Sequence, residues 1–312
     1  MRNRRLHTLI MVSLTPLYAI CFVAIRIGLA YAPPLAFATL RVLLAGVALL
    51  ALAWWRSQPL WIPRQHWPAL LLLTLSSGVI GYGTMFLSPG PAGAGIASVL
   101  GNTQPLAVIV LAALLLHERL TWHKVVALAA GILGVVLISA AALESASAAG
   151  LVGSLLALAS AVAFGASTIV VARLAPKSPL LALTAWQFLL ASLPLAGLSL
   201  VTERQITQFW NPIFLVIVAV LALFGTALTT SVWYWLVQRD NAGRLSLLLF
   251  LVPVLGVGLA VLTLGEQIGW REGVGILLTV SGVLLALRSD DHDAAEKPST
   301  GASDPLLDAG DQ

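Results

Sequence analysis

Ten apolar stretches follow one another along the chain, at 8–29, 35–55, 67–88, 94–116, 122–142, 150–173, 179–200, 213–237, 242–264 and 270–288. Short connections rich in Pro, Gly or charge separate them. A helix that crosses the hydrocarbon of a bilayer needs about 20 mostly apolar residues, because no water is there to satisfy its backbone groups. The pattern therefore predicts ten membrane-spanning helices. Connections such as Tyr31-Ala32-Pro33-Pro34 and Pro89-Gly90-Pro91 are so short that successive helices must be antiparallel neighbours. Arg2, Arg4 and Arg5 before the first stretch, and Ala30-Tyr31-Ala32 after it, imitate a cleavable secretory signal. Pro33 follows directly and the run is long enough to span, so an uncleaved first helix is expected.

Sliding the chain by 148 positions lays stretches 4 and 5 on stretches 9 and 10: Pro105 meets Pro253, Glu118 meets Glu266, Trp122 meets Trp270, Gly134 meets Gly282 and Ala94 meets Ala242. Leu matches Leu easily in apolar sequence, but a Pro, a Glu and a Trp at one common offset rarely coincide by accident. A shift of 146 also brings Arg41 onto Gln187. With an odd number of spans per half, the second half must run through the membrane upside down relative to the first. The predicted fold is all-α and integral to the membrane, ten helices as two inverted five-helix repeats. Residues 1–7 form a cytoplasmic N-terminus, 8–142 and 150–288 the two repeats, and 289–312 a disordered cytoplasmic tail. Seven of the thirteen acidic residues fall between Asp290 and Gln312, with Ser, Gly and Pro, which is why that tail is read as disordered.

Charge sets the orientation. With the N-terminus inside, the inner side holds Arg2, Arg4, Arg5, Arg56, Arg64, Arg119, Lys124, Arg173, Lys177, Arg239, Arg244, Arg288 and Lys297, and the outer side only Arg204 and Arg271. Cytoplasmic loops carry the excess of Lys and Arg, so both termini are expected in the cytoplasm. Only 10% of the residues are charged and 59% are hydrophobic, against roughly a quarter charged in a soluble domain. The basic residues form no stripe, which sets aside nucleic acid as a partner. One cysteine, Cys21, excludes an internal disulfide and a multi-cysteine metal site.

Inverted repeats are a recurring plan of secondary transporters, in which two near-equivalent halves rock about a central site. The sequence moreover resembles the drug/metabolite transporter superfamily, in particular its ten-span EamA-type members. The likeness is carried by Pro34 with Leu40-Arg41-Val42-Leu43-Leu44-Ala45, by Ala97 to Pro105, by Leu116-His117-Glu118-Arg119-Leu120 and by Gly131 to Gly134. It recurs in Ala185-Trp186-Gln187-Phe188-Leu189, Pro253, Leu264-Gly265-Glu266-Gln267-Ile268 and Gly282. It covers residues 8–288. The resemblance implies export or exchange of small polar metabolites, often amino acids or related compounds, across the bacterial inner membrane. A flippase of lipid-linked or glycan substrates, or a non-transporting receptor or scaffold, stays open as an alternative. The expected partners are a small polar solute and the bilayer; a homodimer is left open.

Several polar residues stand where lipid makes them expensive. Arg41, six positions into its span, reads as a cation in a water-filled cavity that binds a substrate carboxylate, or as a structural or snorkelling side chain. Arg26 reads as interfacial. Asn102-Thr103-Gln104 precedes Pro105, which removes a backbone donor, so span 4 is expected to kink or break there and to turn these side chains towards a substrate. Pro253 duplicates the kink without the polarity, since Phe250-Leu251-Val252 precede it. Trp186 and Gln187 are expected to line the cavity, with Tyr82. Trp233, Tyr234 and Trp235 read as an interfacial belt. Gly78, Gly81, Gly83, Gly93, Ala97 and Gly101 read as close-packing faces. Glu118 and Glu266, at helix ends, read as capping or pairing groups, or as gates.

No phosphate-binding Gly-x-x-x-x-Gly-Lys-Ser/Thr occurs, His117-Glu118 lacks a zinc-protease partner, and no Asp or Glu occupies mid-span. No enzyme activity, cofactor or metal is expected.

Overall fold

In a computed structural model, described here for residues 2–88, 100–118, 121–138, 150–175, 178–203, 211–255 and 270–295, every regular element is helical. In chain order these are α1 (Arg2–Gly28), α2 (Pro34–Trp55), α3 (Arg64–Leu87), α4 (Gln104–Leu115), α5 (Trp122–Ile138), α6 (Gly150–Ala172), α7 (Leu180–Thr202), α8 (Pro212–Val237), α9 (Ala242–Leu255) and α10 (Trp270–Ala295). Among them α2, α3, α6, α7 and α8 are long and apolar enough to cross a membrane within the described residues, and α4, α5, α9 and α10 contain shorter apolar helices. The last helix continues to Ala295, past the expected start of the tail at 289, and the first breaker after it is Pro298.

Helix packing follows a two-fold pattern. The most extensive contacts pair α2 with α7 and α5 with α10, and α4 also meets α9, each helix thus meeting its counterpart in the other half. The remaining contacts come in matched sets: α3 on α6 answers α8 on α1, and α7 on α3 answers α2 on α8. The chain is an integral membrane protein of two inverted five-helix repeats.

Repeat-matched glycines allow the closest crossing. A Cβ on Gly134 of α5 would lie 2.6 Å from the Gly275 carbonyl oxygen of α10, and one on Gly282 of α10 would lie 2.9 Å from that of Ala127 on α5. In lipid, where apolar surface gives helices no reason to associate, such small residues bring backbones into van der Waals range.

Two apolar cores are stacked along the bundle. One gathers Met11, Leu73, Val171, Leu236 and Leu245 near the end that carries the N-terminus, here the N-terminal face. The other gathers Leu35, Phe37, Phe86, Phe188 and Phe214 towards the opposite face, with Phe37 5.2 Å from both Phe86 and Phe214. Along α8, Ala227 belongs to the second core and Trp233 to the first, with the buried hydroxyl of Thr229 between them. Large apolar side chains cover the outside, as lipid requires. Trp54, Trp55, Trp61, Trp67 and Trp122 are all exposed and all lie at the N-terminal face.

Candidate functional site

Spans 3 and 8 are not regular α-helices. In each, a π-helical stretch interrupts the α register: Thr74–Gly81 in α3 and Leu223–Leu228 in α8. The two stretches are equivalent in the repeat, and Ser77 falls on Gly225 at the 148-residue offset. A π-turn takes one residue more than an α-turn and frees backbone groups from the i→i−4 ladder. In α8 the Thr229 N–H bonds the Thr226 carbonyl, leaving the Gly225 carbonyl to other donors.

Arg41 of α2 takes it. Its Nη2 donates to the Gly225 oxygen at 3.0 Å and its Nε to Thr226 Oγ1 at 2.6 Å, while the Thr229 hydroxyl also donates to Gly225 at 2.8 Å. The guanidinium lies 5.3 Å from the centroid of the Tyr82 ring and 5.7 Å from that of Phe86, within range of a cation–π attraction. Arg41 is 3% exposed, and its buried Nη1 has no hydrogen-bond partner among the described residues. The cation is thus held deep in the bundle, across the boundary between the halves.

Its repeat equivalent, Gln187 of α7, is fully buried and faces α8 and α3. Its amide lies 3.4 Å from the Tyr234 hydroxyl, which is itself buried. The Gln187 carbonyl passes close to Gly78, where a Cβ would sit 3.3 Å from it. Trp233 is buried and donates to Thr168 Oγ1 at 3.2 Å. Trp233 and Tyr234 are therefore interior residues rather than the expected belt, because they occupy the buried side of α8; half-buried Trp235 meets His7 edge-on and carries Arg239 over its ring.

Other expected residues fall elsewhere. Trp186 donates from Nε1 to the Leu60 carbonyl at 2.8 Å and stacks on Trp61, which places it against the α2–α3 connection, away from Arg41. Asn102, Thr103 and Gln104 are half-buried. The helix is interrupted at Asn102–Thr103, Pro105 stands in the first turn of α4, and the Thr103 hydroxyl donates to Leu100. Arg41's partners come from α3 and α8, so the structure does not join this run to it. Ahead of Pro253, a 3₁₀ turn at Leu248–Phe250 breaks the α register of α9. Glu266, Gly93, Ala94 and Ala97 lie outside the described residues, as does the side chain of Arg26.

Each face has a carboxylate that joins the halves. His117, at φ 53° just past α4, turns the chain back through the left-handed region, with the Glu118 N–H bonding the Ala112 carbonyl as in a Schellman ending. That turn delivers Glu118 to the start of α9, where it accepts from the Ala242 and Gly243 N–H groups at 3.2 and 3.3 Å. At the opposite face, Glu203 accepts from Leu35 and Ala36 at the start of α2. Asn241 caps α9 by accepting from the Arg244 N–H at 2.8 Å. Beside it Asp240 Oδ2 lies 3.0 Å from His7 Nδ1 and 3.1 Å from Arg244 Nη1, and Arg244 Nη2 donates to Thr8 at 2.7 Å. His7, Glu118, Asp240 and Asn241 border a cavity of about 830 Å³ that opens at the N-terminal face, with Arg4, Gln238 and Arg239 on its walls. Sequence reading passed over Glu203, His7 and Asp240, all of which stand at helix ends where charge is unremarkable.

The profile of the EamA-like transporter family matches residues 7–140 and again residues 151–288. The chain belongs to this family. A protein of Salmonella typhimurium named "Probable amino-acid metabolite efflux pump" is 30% identical over 278 residues, covering 85% of this chain and 89% of that one. The uncharacterized transporter YoaV of Bacillus subtilis is 25% identical, covering 88% and 94%. A solved crystal structure superposes with a TM-score of 0.77 at 20% identity, over 91% of this chain and 97% of that one, and so shares the fold. The family places the chain among multi-pass membrane transporters of the drug/metabolite superfamily.

Proposed function

We propose that this chain exports or exchanges small polar metabolites, amino acids or related compounds, across the inner membrane by alternating access between its two halves. It moves its cargo without a catalytic step. The N-terminal face is cytoplasmic, as the Lys and Arg distribution indicates.

The observation that carries this reading is the polar seam between the two apolar cores. Arg41 and Gln187 are equivalent in the repeat: Arg41 hydrogen-bonds Gly225 of the other half, Gln187 packs against Gly78 of the other half, and among the described residues Arg41 keeps a buried nitrogen without a partner. A buried cation with an unused donor suits a carboxylate-bearing solute, and Tyr82 supplies an aromatic wall. The cavity at the N-terminal face supplies one mouth of the path, and Asn102–Gln104, at the broken start of α4 and apart from Arg41, are a second polar station along it. The relative named for amino-acid metabolite efflux supports the solute class.

Counterflow tests it. Proteoliposomes preloaded with an unlabelled L-amino-acid mixture should accumulate ¹⁴C-labelled L-amino acids, and Arg41→Ala and Gln104→Ala should each lower the rate at least about tenfold with folding preserved. No accumulation of any amino acid by wild-type protein would sink the reading.

A further inference from the structure

We infer that Arg41 and Gln187 are equivalent positioning residues of the transport cycle. Each braces, from the opposite half, a π-helical turn at which α8 or α3 bends when the bundle changes the side to which it opens. The inference rests on the alternating-access reading above.

The first observation is the duplication of the turns. A π-turn has no obvious signature in the sequence, yet one occurs at equivalent positions of both halves. The second is the direction of the bracing. Arg41 belongs to the first half and holds Gly225 and Thr226 of the second. Gln187 belongs to the second half and lies against Gly78 in the π-turn of the first, where a Cβ would sit 3.3 Å from the Gln187 carbonyl oxygen.

The chemistry of the two helical states differs in one hydrogen bond. In the π state the Gly225 carbonyl has lost its i+4 amide and is satisfied by Arg41 Nη2 and the Thr229 hydroxyl. In a regular α-helix the Thr229 N–H would reclaim that carbonyl and Arg41 would be released. Withdrawing α2 would leave the Gly225 carbonyl with the Thr229 hydroxyl alone and strip Arg41 of both its acceptors, a cost inside a membrane that favours the turn while the other half supplies its donor. The bend of α8 is therefore coupled to the position of α2, and that of α3 to the position of α7. Gly78 and Gly225 have no side chain where a Cβ would collide with Ala191 and Cys21, which lets the braced turns press against α7 and α1.

The test removes one turn without touching any polar group. Phe224, half exposed to lipid, lies in the π-turn of α8, and Ile80, also lipid-facing, in that of α3. Deleting either residue takes out the extra position and restores α register. Spin labels at Arg64 and Ala175, exposed on opposite halves at the N-terminal face, report the opening in liposomes, and the buried Cys21 stays unlabelled. Wild-type protein should show two distance populations, and each deletion should leave one, with helix content by circular dichroism unchanged. A wild type with a single population, or deletions that keep both, overturns the inference. If a deletion fails to fold, Thr226→Val removes the acceptor of Arg41 Nε at constant length and should change the population ratio by about threefold or more; an unchanged ratio overturns it. Two populations in a protein that exchanges no amino acid would leave the braces standing and remove the cargo reading alone.

Discussion

Glu203 accepts a 2.7 Å hydrogen bond from the backbone N–H of Leu35, 168 residues earlier in the chain. Its second oxygen accepts from Ala36 at 2.9 Å, and the Ser199 hydroxyl donates to that same oxygen at 2.6 Å. Pro33 and Pro34 begin α2 and supply no amide, so the next two amides are the ones in need of an acceptor, and the helix dipole favours a negative group there.

Glu203→Ala should accordingly lower stability by about 1–3 kcal/mol, since hydrogen bonds to a charged acceptor are among the stronger ones. Glu203→Gln, which keeps one acceptor oxygen, should lose less. Unfolding in graded SDS and mild-detergent mixtures would check both; a neutral alanine variant would show that the clamp contributes nothing.

The Asp240 cluster makes a different prediction. Its side chain is 3% exposed and faces both His7 and Arg244, so Asp240→Ala takes an anion from a buried guanidinium, a loss of about 3 kcal/mol. Replacing both partners, as Asp240→Leu with Arg244→Met, should recover most of that loss. A double variant as unstable as the single one would show that the two residues act independently.

At His117 the backbone is left-handed, a conformation that costs a side chain and not glycine. His117→Gly should leave stability unchanged or raise it by up to about 1 kcal/mol, whereas His117→Val should lower it. Thermal unfolding of the two variants side by side decides, and a stabilised valine would contradict the assigned turn.

Gly134→Leu places a side chain where the Gly275 carbonyl and Thr279 of α10 already stand. Overpacking of this kind costs about 1–3 kcal/mol and forces backbones apart. The matched change Gly282→Leu should behave alike, and disulfide trapping between cysteines on the exposed rims of α5 and α10 would register the separation. Wild-type trapping in both variants would refute the close crossing.

The sequence exposed the spans because lipid leaves the backbone no alternative to long apolar helices, and it exposed the repeat because Pro105, Glu118 and Trp122 are uncommon enough to match meaningfully. It singled out Arg41 because a cation in an apolar run is anomalous, but not its acceptors, Gly225 and Thr226, which lie 184 and 185 positions away and are ordinary membrane-helix residues. Tyr234 was misplaced for a related reason: hydropathy gives depth along α8, not which side of the helix faces the bundle. Trp186 sits deep in its stretch by counting, yet the α2–α3 connection folds back to meet it. The π-turns were invisible because one extra residue in an apolar helix changes no composition.

Among the described residues, five exposed tryptophans lie at the N-terminal face and one, Trp270, at the other, an uneven grip on the bilayer. Indole rings settle at the headgroup level, so that rim is moored at a fixed depth. A bilayer thinner or thicker than the protein's apolar belt is then matched by tilt and snorkelling at the far rim. Lipid thickness becomes a handle on one mouth of the bundle and leaves the other nearly untouched.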